Sequence, residues 1–499
     1  MALLLAALSA GAVWYFHGAG YLYHYGDAEA HLNIARRMVD SRTPGYEQIG
    51  TVWLPLPHAL MAPFVRHDAL WHNGLAGAFP SAAAFVTGGF FLFAGVRRLF
   101  AMSAPAWTAA ALYALNPNLL YLQSTAMTEA LFLCCLAALF YATVVFGQTQ
   151  SRLALAGAAV ANAAAALTRY EGWFLIPFVI LYVLLAAKGN RLAAAAFYGV
   201  AASLGPLYWL AHNQYFFSDA LYFYRGPYSA RAIQGDRVYP GLGDWSAALL
   251  YYRTAARLAA GAPLFWIGLA GAAAALARRA LWPVLLFALP GAFYVASLHS
   301  SRTPIFVPEL WPFSYYNTRY GLALLPLLLL GAAALVTFAP ASRRRWAALA
   351  LVLAGVSPWL LAPRPEAWVT WKESQVNSEA RRAWTRQAAE YLRARYRPGA
   401  GIFTGFGDLS GIYRAARIPL RETLTEENRP QWMAARARPD LFLREEWAVC
   451  MGGDPVQTVL TRARRPYPGY PTYTLVDRIV VKGAPVIEIW RRFTPPEPQ

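Results

Sequence analysis

The 499-residue sequence predicts an α-helical polytopic membrane protein with about 11 transmembrane helices and a small C-terminal α/β domain outside the membrane. Three observations carry this. Hydrophobic residues make up 58% of the chain and charged residues only 14%, more apolar surface than a water-soluble core can hide. The apolar residues gather in runs close to the roughly 20 residues that a helix needs to cross a bilayer. After residue 361 these runs stop, and short segments rich in turn residues take over.

Taken in order, the spans are the runs near 1–18, 75–96, 104–120, 127–147, 153–168, 173–187, 192–211, 259–277, 280–298, 320–340 and 346–361. The first has no Lys or Arg at its start, so it reads as a span and not as a cleaved signal peptide. Basic residues at Arg97-Arg98, Arg152, Lys188 with Arg191, Arg278-Arg279 and Arg343-Arg344-Arg345 fall in every second connection. Cytoplasmic connections carry the Lys/Arg excess, so these five are inside. The outer side then holds loops 19–74, 121–126, 169–172, 212–258 and 299–319, and the tail. The chain divides on this reading into a membrane domain, 1–361, and an extracytoplasmic α/β domain, 362–499.

In the first outer loop, Asp27 precedes Ala28, Leu32, Ala35, Met38 and Val39 at helical spacing, with Arg36, Arg37 and Asp40 on another face. This predicts an amphipathic helix lying in the interface. Pro55 and Pro57, within Thr51–His58, predict a bend beside the membrane in place of a regular helix. Loop 212–258 is dense in Tyr, Phe and Trp with arginines interspersed, which suits an aromatic belt or a cover over a site. In the tail, 374–396 reads as a polar helix, 401–408 as a strand with a Gly-rich end and 410–416 as a short helix. Strands follow at 447–450, 473–476 and 486–490.

Several function classes are excluded by the same features. The net charge of +18 comes in short clusters between apolar runs, with no stripe or motif for nucleic acid. Cys134, Cys135 and Cys450 are too few for a disulfide framework and read as small core residues. The polar chemistry gathers on one side, headed by Gly26-Asp27-Ala28-Glu29-Ala30-His31 just after the first span. Acids at such a place are costly unless water, a metal or a substrate meets them.

With Asp27-Ala28-Glu29 followed by Ile34-Ala35-Arg36-Arg37-Met38, the chain resembles the GT-C superfamily of polytopic glycosyltransferases. Protein O-mannosyltransferases and bacterial aminoarabinose transferases are families of that kind. Thr125-Ala126-Met127-Thr128-Glu129, Leu167-Thr168-Arg169-Tyr170-Glu171-Gly172-Trp173 and Tyr316-Asn317-Thr318-Arg319-Tyr320-Gly321 add to the likeness, which covers roughly 1–361 in layout. It implies a GT-C-like fold and inverting transfer of a sugar from a polyprenyl-phosphate donor to an acceptor hydroxyl of a protein, lipid or glycan. Lys occurs only at Lys188, Lys372 and Lys482 while Arg and Ala abound, which suggests a GC-rich bacterial genome and so a bacterial inner (plasma) membrane, with the loop charges placing the active site and tail on the periplasmic side. In the aminoarabinose transferases the second outer-loop motif contains Glu-Lys-Pro-Pro. Here Trp53-Leu54-Pro55 has no charge, so their particular donor and acceptor do not carry over.

The reaction asks for these residue types on its own terms. A hydroxyl acceptor needs a base, and Asp27 is the candidate. Negative charge gathers on the leaving phosphate, which suits Arg319 and Arg302, with Arg225 in reserve. Glu29, Glu129, His31 and His58 are candidate ligands for substrate or for a divalent cation such as Mg²⁺ or Mn²⁺, and no other cofactor is implied. Structural readings stand beside these: Asp27 as a helix cap, Arg169 with Glu171 as an ion pair, and the outer arginines as interfacial anchors. A transporter or lipid-linked-sugar flippase is the main rival, but it would place its charges near the midplane, often with an internal repeat. A non-enzymatic envelope assembly protein is the second.

Overall fold

Apolar helices dominate the computed structural model, which describes residues 1–462 and 470–493. Five are long and apolar enough to cross a membrane: Leu75–Phe100, Glu129–Thr149, Arg191–Phe217, Leu281–Ser300 and Thr318–Val336. A sixth is made if the bent pair Trp245–Ala260 and Ala262–Ala277 counts as one span. The predicted count of about eleven is therefore not reached by length and composition. Ala2–Gly18, Arg152–Ala166 and Glu171–Ala186 are apolar but have 17 residues or fewer. At 1.5 Å per residue such helices reach about 25 Å at most, short of a hydrocarbon layer of about 30 Å. The 104–120 run is broken, because the Asn116 side chain caps a new helix, Pro117–Gln123, by accepting from the Leu119 N–H at 3.0 Å. The chain is a multi-pass membrane protein.

By packing, the described chain forms two units. The first contains Met1–Tyr21, Thr51–Pro57 and Ala78–Glu373, and the second contains Leu22–Gly50, His58–Gly77 and Ser374–Gln499.

Within the first unit, the span Thr318–Val336 is the most enclosed, with 83% of its apolar window buried. Its leucines and alanines are apolar all round, the composition of a helix surrounded by protein. Helix Ala262–Ala277 packs against it through Gly268, Gly271 and Gly331. A Cβ on Gly271 would stand 2.0 Å from the Gly331 carbonyl oxygen, so only glycine permits this approach. The bend of 111° at Gly261 leaves the last carbonyls of helix Trp245–Ala260 without helical partners. The amides of Asn116 and Asn118 each donate to the Ala259 carbonyl at 3.0 Å, supplying partners that lipid cannot.

The second unit holds a five-stranded sheet in the order β2-β1-β3-β5-β4. Its strands are β1 (Ile402–Thr404), β2 (Thr423–Leu424), β3 (Trp447–Met451), β4 (Tyr473–Ile479) and β5 (Ile487–Arg492). β1 pairs in parallel with β2 and β3, while β5 runs antiparallel to β3 and β4. Phe403, Trp432, Ala448, Cys450, Val456 and Trp490 form its core. The predicted tail elements appear as Val369–Arg395, β1, Ser410–Ala416, β3, β4 and β5. β2 and the helices Arg429–Ala437, Pro439–Phe442 and Pro455–Arg462 are among the additions.

Two expectations for the first outer loop change. The helix is present at Gly26–Arg37, but its basic face is enclosed as well as its apolar face. Arg36 donates to Asp40 at 2.9 Å and to Asp68 at 2.6 Å, and Arg37 pairs with Glu427 at 3.0 Å, so both arginines stay buried without being unpaired. The predicted bend at Pro55 and Pro57 is instead the start of a helix, Pro55–Val65. In a first turn the missing proline N–H has no partner to lose.

Candidate active site

In the first unit, three helix starts bring charge together. Glu129 opens Glu129–Thr149 and Glu171 opens Glu171–Ala186, positions where the helix dipole favours a carboxylate. Arg169 lies in the turn just before Glu171, and Arg319 in the first turn of Thr318–Leu324, the 3₁₀ start of the enclosed span. Gly172 lets the Arg169 turn fold tightly, since a Cβ there would stand 2.3 Å from the Ala165 carbonyl carbon.

Arg169 donates to Glu171 Oε1 at 2.8 Å, to Thr128 Oγ1 at 2.8 Å, to Glu129 Oε1 at 3.2 Å and to the Tyr294 hydroxyl at 2.5 Å. Arg319 Nε reaches the same Glu129 Oε1 at 3.2 Å, and its Nη1 donates to Glu373 Oε1 at 2.9 Å. Both guanidinia lie near the Tyr320 ring, 5.2 and 5.0 Å from its centroid. Glu129 Oε2 is buried without a hydrogen-bond partner among the described residues. Glu129, Arg169, Glu171, Tyr294, Arg319 and Tyr320 line a cavity of about 10 Å³, room for about one water.

Glu373 completes the group. Its Oε1 accepts from the Asn317 N–H at 3.1 Å and its Oε2 from the Thr318 N–H at 2.6 Å, with the Thr318 hydroxyl also donating. Burial raises its pKa above the ordinary carboxylate value, and Arg319 and Thr318 pull the other way.

In the second unit, Asp27 stands half-buried in the first turn of Gly26–Arg37. Glu29, two residues further along the same helix, is held by two guanidinia. Arg414 reaches Oε1 at 2.7 Å, and Arg381 meets Oε2. Arg414 also stacks 3.5 Å from the Tyr23 ring centroid, while Arg381 donates to the Tyr23 and His24 carbonyls at 2.9 and 3.1 Å. Burial alone would lift the Glu29 pKa; Arg414 and then Arg381 overcome it and hold the carboxyl below its usual value. His31 Nδ1 and His58 Nε2 face each other at 2.9 Å, both buried. Burial, His31 and Arg37 together push His58 well below its usual 6.5.

Arg319 and Glu129 meet in the first unit, and Asp27, Glu29, His31 and His58 lie in the second. Arg302, 32% exposed at its side chain, pairs with Asp236 at 3.1 Å, and Arg225, 62% exposed, with Asp219 at 3.5 Å; neither lines the cavity. The divalent-cation expectation does not fit these donors. Glu29 has a guanidinium on each oxygen, Glu129 shares one oxygen between two, and the histidines turn to each other. Among the described residues no group of three or more His, Cys, Asp or Glu side chains is placed to hold a metal ion. Sequence reasoning kept Arg169 and Glu171 as an ion pair, which they are, and did not find Tyr294, Glu373, Arg381 or Arg414 as partners. The Arg169 turn was visible as a motif; the other four sit in segments without a local signal.

The profile of the dolichyl-phosphate-mannose-protein mannosyltransferase family matches residues 69–209. Among solved structures, ArnT from Cupriavidus metallidurans bound to undecaprenyl phosphate is similar with a TM-score of 0.58 and 14% identity, over 98% of this chain and 97% of that one. Its apo state is similar with a TM-score of 0.52 and 16% identity, over 93% of each chain. No curated protein matches the sequence significantly. The resemblance to the GT-C superfamily is borne out, and the likeness to ArnT extends it from the membrane helices through the tail as a shared fold.

Proposed function

We propose that this chain is an inverting glycosyltransferase that moves a sugar from a polyprenyl-phosphate donor to an acceptor hydroxyl on the outer face of a bacterial inner membrane. The observation that carries the reading is the pair of largely enclosed guanidinia, Arg169 and Arg319, converging on one Glu129 oxygen beside a cavity. Two fixed arginines at a helix start suit an anion whose charge grows during the reaction. The fold shared with ArnT, crystallised with undecaprenyl phosphate, supports a polyprenyl phosphate as that anion.

Asp27 takes the acceptor hydroxyl proton as the oxygen attacks the anomeric carbon. The bond from that carbon to the phosphate oxygen breaks, and the electron pair leaves with the phosphate. A single displacement inverts the configuration. Arg319 and Arg169 stabilise the phosphomonoester as its charge builds, so their effect is greater in the transition state than in the ground state. Glu29, neutralised by Arg381 and Arg414, anchors the helix that carries Asp27 and takes no part in proton transfer. Arg302 and Arg225 stand as surface pairs in this scheme. The acceptor is a hydroxyl of a protein, lipid or glycan, and the tail belongs on the periplasmic side with Asp27.

Turnover of a short-chain polyprenyl-phosphate sugar by the purified protein tests the proposal. Asp27→Asn keeps shape and hydrogen bonding but removes the base, and should lower the rate about 10²–10⁴-fold. Near-wild-type turnover by a folded Asp27→Asn protein would leave Asp27 only the helix-dipole role of a first-turn carboxylate.

A further inference from the structure

Counted over the cavity and its immediate partners, two guanidinia, Arg169 and Arg319, face three carboxylates, Glu129, Glu171 and Glu373. One negative charge is left over. A phosphate brought to this group as it stands would meet net repulsion, and a cavity of about 10 Å³ has no room for it. Donor binding therefore requires that one carboxylate give up its place.

Glu129 and Glu171 are fixed at the starts of their own helices and share Arg169. Glu373 differs. It comes from helix Val369–Arg395 and is the last residue of the first unit before that helix passes into the second. Its two oxygens occupy what a phosphate would occupy: the Asn317 and Thr318 N–H groups at the start of the enclosed span, the Thr318 hydroxyl and the Arg319 guanidinium. Backbone N–H groups at a helix start with an adjacent Arg are a general oxyanion seat. Glu129 Oε2, buried and unpartnered beside it, marks a polar place that the present arrangement does not satisfy.

The geometry points to Glu373 as a carboxylate place-holder that occupies the phosphate seat of the donor-free enzyme and is displaced when lipid phosphate binds Arg319. The inference rests on the donor-phosphate reading of Arg319 and Arg169. Burial raises the Glu373 pKa against the pull of Arg319 and Thr318, the direction expected of an anion whose burial is costly. Displacement removes the surplus negative charge and opens space in one step.

The role predicts an effect of opposite sign to that of a structural support. Glu373→Gln keeps the shape but removes the competing charge, so undecaprenyl phosphate in detergent should bind the full-length protein about tenfold more tightly, the equivalent of about 1.4 kcal/mol. A residue that merely positions Arg319 would give weaker or unchanged binding on the same change, and that result overturns the proposal. Arg319→Ala run in parallel separates the two levels. Loss of binding there with no tightening in Glu373→Gln sinks only the place-holder, whereas wild-type binding by Arg319→Ala sinks the phosphate reading itself. If Glu373→Gln does not fold, Glu373→Asp keeps the charge on a shorter stem, drawn back from Arg319. It should tighten binding a few-fold, and unchanged or weaker binding overturns the proposal equally.

Discussion

Arg319→Ala is the most discriminating single change for the proposed chemistry. Arg319 is 6% exposed, and the substitution removes the 2.9 Å bond to Glu373, the 3.2 Å pairing with Glu129 and the stacking on Tyr320. If it stabilises the leaving phosphate, its loss should cost kcat about 10²–10³-fold, the size seen when one fixed oxyanion donor is removed. A second cost is structural, because carboxylates buried without their cation destabilise a protein by about 3–5 kcal/mol. Thermal unfolding must therefore be measured beside activity. Arg319→Lys keeps the charge but loses the fork that reaches Glu129 and Glu373 together, so it should hold the fold and retain part of kcat. Arg302→Ala is the control. Its pairing with Asp236 is solvent-exposed, worth about 0–1 kcal/mol, so turnover should change by less than about fivefold. The assay is single-turnover transfer from a short-chain polyprenyl-phosphate sugar, with donor and acceptor varied separately. A folded Arg319→Ala protein in which only the acceptor KM rises would refute the phosphate assignment and move Arg319 to the acceptor side.

Further outcomes follow from the second unit. Glu29→Gln leaves Arg381 and Arg414 buried against a neutral amide and should lower stability by about 3–5 kcal/mol, read as a fall in Tm. An unchanged Tm would mean that the triad is not a tether. The unit should also lose stability in acid. His24, held at about 3 by burial and by Arg382 and Arg381, and His58, held well below 6.5, are neutral when folded and take up protons when unfolded. Their contribution is complete above about 6.5 and is lost as pH falls below it, at up to about 1.4 kcal/mol per pH unit for each group. Glu29, depressed below its unfolded value, adds its loss only at lower pH, as its folded pKa is approached. A Tm that stays flat from about pH 7 to 5 would contradict the buried neutral histidines.

The sequence by itself determined the membrane class, the approximate elements of the tail and the helix that begins at Asp27. Each of these rests on local periodicity, which a few consecutive residues carry. It also singled out Arg319, Glu129 and the Arg169 turn, through their place in the outer loops taken together with the resemblance to GT-C enzymes. Pro55 and Pro57 were misread because proline excludes a helix interior but suits a helix start, and only the fold says which one is present. Helix lengths, and with them the span count, depend on where caps such as Asn116 interrupt an apolar run. Charge pairing is further from the sequence still. Glu29 meets Arg414 across 385 residues, and Arg319 meets Glu373 across 54, with nothing in either local pattern to announce the partner. A buried charge must find its counter-ion wherever tertiary packing delivers one. For that reason the tertiary structure alone decided that Glu29 is an anchored ion, that Arg36 and Arg37 are interior, and that Glu373 sits on Arg319.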